Sequence, residues 1–273
     1  MSLADNLPVA LEAARGAARI ILDKFGRVER LTKRHAEAVT EADRASQRFI
    51  VERLRKHFPT DGIIGEENET GDAITFDCPN PRGRVWVIDP IDGTNNFIAG
   101  LANFAVSIGL LEDSYPVLGV VLDVCRDIPY TAVRSHGAFV GDRRAHVLRS
   151  ALSPQSIVML TASLLDPSGR LPGYTNYWLG HATWRARMIG SAALEAASVA
   201  AGVSHASLTV NGKLWDVAAP AALVLEAGGL VTDLAGKNVF PFDLTHYDGA
   251  KVPFLAGAPA AHAELLKDIL AHP

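Results

Sequence analysis

The stretch Asp89-Pro90-Ile91-Asp92-Gly93-Thr94-Asn95-Asn96-Phe97 places two carboxylates three residues apart. Oxygen ligands at that density can hold a metal ion. Pro90 biases Asp89 toward an extended conformation and is read as forcing a turn. Across such a turn both carboxylates aim at one point, with the Ile91 carbonyl exposed between them. Gly93 lets backbone approach a ligand closely, and Thr94 opens a short helix whose first N–H groups favour an anion. Metal ligands and a phosphate cradle therefore fall within one short segment. The same residue types also build an ordinary surface turn. An EF-hand loop is excluded, because counting from Asp89 puts Ile91 at position 3 and Gly100 at position 12. A phosphatase with an aspartyl nucleophile fits poorly, since its second Asp stands two residues on.

Three further acidic clusters bear on this one. Gly65-Glu66-Glu67 follows an apolar pair, Ile63-Ile64, and one of its glutamates is read as pointing inward. In Trp215-Asp216-Val217-Ala218-Ala219-Pro220, Asp216 stands at an expected helix start, where an N-cap is the plain structural reading. The tiny residues 217–219 allow close packing around a crowded site. Thr40-Glu41-Ala42-Asp43 has the form of a capping box, with Asp43 also available as a carboxylate behind the ligands.

The elements that must carry these residues follow from periodicity. Leu7, Leu11, Ala14, Ala18, Ile21 and Phe25 recur at helical spacing, with Pro8 near the start and Gly26 past the end. A second helix is expected over 40–57, ended by Pro59. Strands are expected at 63–64, 85–88, 104–111 and 117–123, with a hairpin from 131–133 to 138–140. The second part alternates: strands at 157–161, 206–210, 230–232 and 252–256, and helices at 190–201, 216–227 and 260–270. That alternation predicts an α/β second half after a boundary near 145–152. The division expected is 1–148, an α+β half with most of the acidic clusters, and 149–273, an α/β half with Asp216.

The chain has 273 residues, 48% of them hydrophobic and 21% charged, which excludes disordered and fibrous classes. Its formal charge of −4 argues against nucleic acid as a partner, without excluding phosphorylated substrates when a metal supplies the positive charge. Cys78 and Cys125 have no metal-ligand spacing, so a reducing compartment fits. No segment is long and apolar enough for a membrane span. A cytoplasmic protein with no membrane partner is the expectation.

In this order, the clusters resemble the inositol monophosphatase family. Its Asp-Pro-(Ile/Leu)-Asp-Gly-Thr signature stands at residues 89–94, its Gly-Glu-Glu at 65–67 and its Trp-Asp at 215–216. Arg187-Met188-Ile189-Gly190-Ser191-Ala192-Ala193 is similar to the family segment beside the substrate. Thr40 to Asp43 is similar to its Val-Thr-x-x-Asp element. The resemblance implies a layered αβαβα sandwich of the inositol monophosphatase and fructose-bisphosphatase type, with the active site between the halves. It implies magnesium-dependent, lithium-sensitive hydrolysis of a small phosphorylated alcohol by metal-activated water, commonly in a homodimer. Carried over, one magnesium is held by Glu66, Asp89 and the Ile91 carbonyl, and a second by Asp89, Asp92 and Asp216. A third, weaker one is held with help from Glu66. Glu66, Asp89 and Thr94 take the catalytic roles. Asp92, Gly93, Thr94, Arg187, Gly190, Ser191 and Ala192 face the substrate, and Glu67 and Asp43 stand behind the ligands.

One departure bears on substrate. Relatives acting on inositol phosphates usually place a Glu seven residues before the Trp-Asp aspartate, where this chain has Thr209, with Asn211 and Lys213 nearby. A carboxylate accepts two hydroxyl hydrogen bonds, which Thr, Asn and Lys cannot match. Inositol phosphate is therefore not expected to be the preferred substrate. 3'-Phosphoadenosine 5'-phosphate, histidinol phosphate and fructose bisphosphate are alternatives, Lys213 being able to meet a second anionic group. A different class of function is a non-catalytic, partner-binding protein of the same fold. Trp178, His181 and Trp184 are read as packing residues of a connecting segment or a subunit contact.

Overall fold

The computed structural model describes residues 3–27, 31–32, 38–68, 74–161, 164–165 and 169–273. The chain opens with α1 (Leu3–Lys24), the two short strands β1 (Leu31–Thr32) and β2 (Ala38–Val39), and α2 (Glu41–His57). Next come β3 (Gly62–Gly65), β4 (Thr75–Asp77), β5 (Arg84–Asp92) and α3 (Thr94–Ala99). A meander follows: β6 (Ala105–Glu112), β7 (Tyr115–Asp123), β8 (Ile128–Val133), β9 (Gly137–Val140) and β10 (Arg143–Ala145). The remainder is β11 (Ile157–Leu160), α4 (Gly173–His181), β12 (Arg185–Arg187), α5 (Ala192–Ala200) and β13 (Ala206–Thr209), then α6 (Leu214–Glu226), β14 (Leu230–Thr232), β15 (Phe254–Gly257) and α7 (Pro259–Ala271).

Eight strands form one sheet in the order β10-β9-β8-β7-β6-β5-β3-β4, and five form another in the order β12-β11-β13-β15-β14. Both are mixed: β3 runs parallel to β5, and β11 parallel to β12 and β13, while the other pairs are antiparallel. Helices α1 and α2 cover one face of the large sheet, α5 and α6 lie between the two sheets, and α4 and α7 pack together outside the small one. This is the five-layer sandwich that the resemblance implied.

The middle layer owes its position to small residues. Gly109 on β6 and Gly119 on β7 have no side chain to hold α6 away, and a Cβ at Gly119 would stand 2.3 Å from the Ala219 carbonyl oxygen. Ala218 and Ala219 supply the matching smooth face and are buried. The run of tiny residues after Asp216 thus brings a helix from late in the chain down onto strands from its first half, and Asp216 with it. One apolar cluster joins Val85, Val87 and Val121 of the large sheet to Leu194, Val217, Leu223 and Phe254.

Several expectations need correction. β5 does not end at residue 88 but runs through Asp92, and the Asp-Pro-Ile-Asp segment is a bulge against β6, not a turn. Pro90 has no N–H to give a ladder, and a bulge is one of the few places inside a sheet where that is tolerated. Helix α1 begins at Leu3, before Pro8, which sits inside it. Helix α5 begins at Ala192 rather than 190, with Ser191 as its N-cap. Asp216 is not an N-cap. It lies inside the first turn of α6, and Lys213 holds the cap position. Helix α4 and strand β12 had no expected counterpart. Trp178 and Trp184 in this region are buried and meet edge to face, as packing residues should.

Candidate active site

Strand β5 delivers the first carboxylates. The bulge lets Asp89 and Asp92 face the same side, although they are an odd number of positions apart. Asp89 Oδ1 accepts the Ile91 N–H at 3.0 Å, which fixes the rotamer and leaves the other oxygen for the cluster. Gly93 follows with φ +92 and caps α3, so the chain reverses into that helix in a conformation L side chains seldom adopt. Helix α6 supplies Asp216, whose Oδ2 accepts the Lys213 N–H at 2.7 Å. The Tyr247 hydroxyl accepts the neighbouring Leu214 N–H at 2.8 Å and steadies the same turn.

One carboxylate oxygen from each of Asp89, Asp92 and Asp216 lies within 4.8 Å of the others. Asp89 is also within hydrogen-bonding reach of Glu66, which follows β3, and of Asp216. Burial, then the charges of Glu66, Asp92 and Asp216, push the Asp89 carboxyl well above its ordinary range. Burial followed by Asp92 and Glu66 does the same to Asp216. Burial raises Asp92 less, because three donors from the start of α5 favour its charged form. These are the Ser191 hydroxyl, the Ala192 N–H at 3.1 Å and the Ala193 N–H at 3.0 Å. Four acidic groups pressed together, Asp89 and Asp92 buried and Glu66 and Asp216 half-buried, are a poor arrangement by themselves. A hard divalent cation offsets that charge, so the donor set fits magnesium.

Behind the cluster, Asp43 closes a capping box on α2, its Oδ2 accepting the Thr40 N–H at 2.8 Å. Its Oδ1 faces the Thr94 hydroxyl at 3.1 Å, and that hydroxyl also lies 2.9 Å from the Ile91 carbonyl. Buried and near Glu66, the Asp43 carboxyl is raised to about 6, with burial the largest cause. Glu67 is buried beside the site. Its backbone N–H donates to Gln47 Oε1 at 3.0 Å, and its carbonyl accepts the Gln47 amide.

The other residues singled out in the sequence lie as follows. Ser191 and Ala192 meet Asp92, as described. Gly190, with φ +77, gives its N–H to Glu195 at 3.1 Å. Arg187 is exposed on β12, with a guanidinium N–H on the Ala186 carbonyl. Thr209 is buried at the end of β13. The Lys213 ammonium donates to the Gly249 carbonyl at 2.7 Å, and Asn211 is bound to Leu165 and Lys251. Gln47, Asn96 and Glu195 escaped the sequence reading. A lone Glu in the otherwise small, apolar α5 was the visible signal for the last of these.

The model of the inositol monophosphatase family matches residues 3–272. A Thermotoga maritima protein named fructose-1,6-bisphosphatase/inositol-1-monophosphatase is 37% identical over 242 residues, covering 87% of this chain and 88% of that one. A Pseudomonas aeruginosa protein named Nus factor SuhB is also 37% identical, over 244 residues, covering 86% and 87%. Among solved structures, the Thermotoga maritima IMPase superposes with a TM-score of 0.82 at 31% identity, covering 98% of this chain and 97% of its own. With the sandwich, the acidic cluster and a family match along nearly its whole length, this chain belongs to the inositol monophosphatase family of metal-dependent phosphoric monoester hydrolases.

Proposed function

We propose that the protein is a magnesium-dependent phosphomonoesterase acting on a small phosphorylated alcohol. The observation that carries this reading is the convergence of Asp89, Asp92 and Asp216 from β5 and α6, with Glu66 against Asp89. Glu66, Asp89 and the Ile91 carbonyl would hold one cation, and Asp89, Asp92 and Asp216 a second. Glu66 would share a weaker third. Bound there, the cations supply charge neutralisation, an activated water and stabilisation of the leaving oxygen. The N–H groups of Gly93 and Thr94 hold the phosphate oxygens. Thr94 carries one hydroxyl proton and gives it to Asp43 or to the Ile91 carbonyl, so its oxygen is left to accept a hydrogen bond from the attacking water. Glu66 orients that water from the other side.

On the substrate side we assign Arg187, Gly190, Ser191 and Ala192, with Asp92 shared between cation and substrate. No carboxylate stands at Thr209, Asn211 or Lys213, which supports a substrate other than inositol phosphate. The Thermotoga maritima relative's name supports a sugar bisphosphate as an alternative. The test is phosphate release over inositol, nucleotide, sugar and amino-alcohol phosphates, with magnesium, with EDTA and with lithium. Magnesium-dependent turnover that lithium suppresses, and that prefers a substrate other than inositol 1-phosphate, is the predicted result. Clear preference for inositol 1-phosphate contradicts the substrate reading, and turnover in EDTA contradicts the cation.

Other readings stand on thinner supports. The division into 1–148 and 149–273 is supported by the two sheets, each built within one half. The strongly exposed Leu179, and β12, which among the described residues has no strand on its outer side, support a homodimer. The two free cysteines support a cytoplasmic protein, and among the described residues no helix is long and apolar enough to cross a membrane. The name of the Pseudomonas aeruginosa relative favours a partner-binding reading. The full set of acidic groups favours catalysis over a purely non-catalytic role.

A further inference from the structure

The dipeptide Ile189–Gly190 is gripped from two sides. The Asn96 amide, on α3, donates to the Ile189 carbonyl at 2.7 Å and to the Asn103 carbonyl at 2.7 Å. From α5, Glu195 Oε1 accepts the Ile189 N–H at 2.9 Å and the Gly190 N–H at 3.1 Å. Glu195 is fully buried, and among the described residues its second oxygen has no hydrogen-bond partner. A buried carboxyl kept at such cost points to a task for the oxygen that is used. The packing is as tight as the bonding. A Cβ on Gly190 would lie 2.8 Å from the Asn96 amide nitrogen, and one on Gly93 would lie 3.1 Å from the Gly190 carbonyl oxygen. The next residues, Ser191 to Ala193, are those that donate to Asp92.

We propose that Asn96 and Glu195 are positioning residues which lock Ile189–Gly190, and through it set the start of α5 on the Asp92 carboxylate and the Gly190 carbonyl against Gly93. Neither touches the reacting atoms. Each acts by fixing where Asp92 points, and so the two sides of the grip share one function. The inference rests on the cation-site reading given above.

The experiment is calorimetric titration of magnesium into the full-length protein, with thermal unfolding followed in parallel. Asn96→Ala and Glu195→Leu each weaken binding by about tenfold, the low end of what supporting residues of a metal site contribute. Glu195→Gln keeps an oxygen for the same two N–H groups and stays close to wild type. The double variant binds no more weakly than the poorer single one, because both act on the same dipeptide. Unchanged magnesium affinity in Asn96→Ala and Glu195→Leu, with only the melting temperature lowered, marks a merely structural role and overturns the proposal. If Glu195→Leu fails to fold, Asn96→Ala and Glu195→Gln decide it. A wild-type protein that takes up no magnesium overturns the cation-site reading itself, whereas one that binds as tightly as its variants overturns the grip alone.

Discussion

Crowding Asp89, Asp92 and the half-buried Asp216 together is predicted to set how this protein responds to pH and cations. A carboxyl raised in the folded state takes up a proton on folding at pH values between its unfolded and its folded pKa. Stability therefore falls as pH climbs from the ordinary carboxylate range toward the raised value. In EDTA the protein is predicted to be less stable to urea at pH 8 than at pH 5.5, and magnesium reverses the loss. Asp89→Asn removes one of the crowded charges. At pH 8 in EDTA it is predicted to be more stable than wild type by roughly 1–3 kcal/mol, to gain little from magnesium and to have lost turnover. Glu195 follows the same rule over its own window, from 4.5 up to about 8, with burial the main cause. Glu195→Gln is predicted to flatten that part of the pH–stability curve and to exceed wild type above pH 8 by roughly 2–4 kcal/mol. Equal urea midpoints for the two proteins at pH 8.5 would contradict this. At this scale the sequence was most legible, because carboxylates next to Pro and Gly advertise themselves. Asn96 was not, since an amide that bonds two carbonyls distant in sequence or fold looks like any polar residue of a turn.

The elements place these groups through packing that is partly visible in the sequence. Thr40 caps α2 and binds Asp43, so Thr40→Ala is predicted to lower stability by roughly 0.5–2 kcal/mol. Turnover falls as well, because Thr94 then faces a less firmly held partner. A stability loss with unchanged turnover would separate the cap from the site. Gly119→Val puts side-chain carbon where the Ala219 carbonyl lies, and a cost of roughly 1–3 kcal/mol is predicted from forcing α6 off the sheet. Strand and helix identity was readable where patterns were long, as in α2 and in β6 with β7. The bulge at Pro90 was not, because an X-Pro step reads equally as extended or turn and only the pairing with β6 decides between them. The place of Asp216 inside the first turn of α6 was hidden for a similar reason: Lys213 is an unusual cap residue.

Across the whole molecule, the carboxylates proposed as the active site, Asp89 and Asp92 from early in the chain and Asp216 from late in it, are brought together by the middle helical layer. The layered fold was legible only through the family resemblance. Periodicity gave helices and strands in order, but not which helix lies between the two sheets, a choice made by Gly109, Gly119 and the alanines of α6. Because the ligands span that layer, cation binding should stabilise the molecule globally, with an increment that rises logarithmically with magnesium concentration. The most direct measurement is anomalous diffraction from crystals soaked in manganese. The account predicts anomalous peaks between the carboxylates of Asp89, Asp92 and Asp216, with Glu66 at the edge of the same density. Peaks elsewhere, or those oxygens apart with no metal between them, would contradict it.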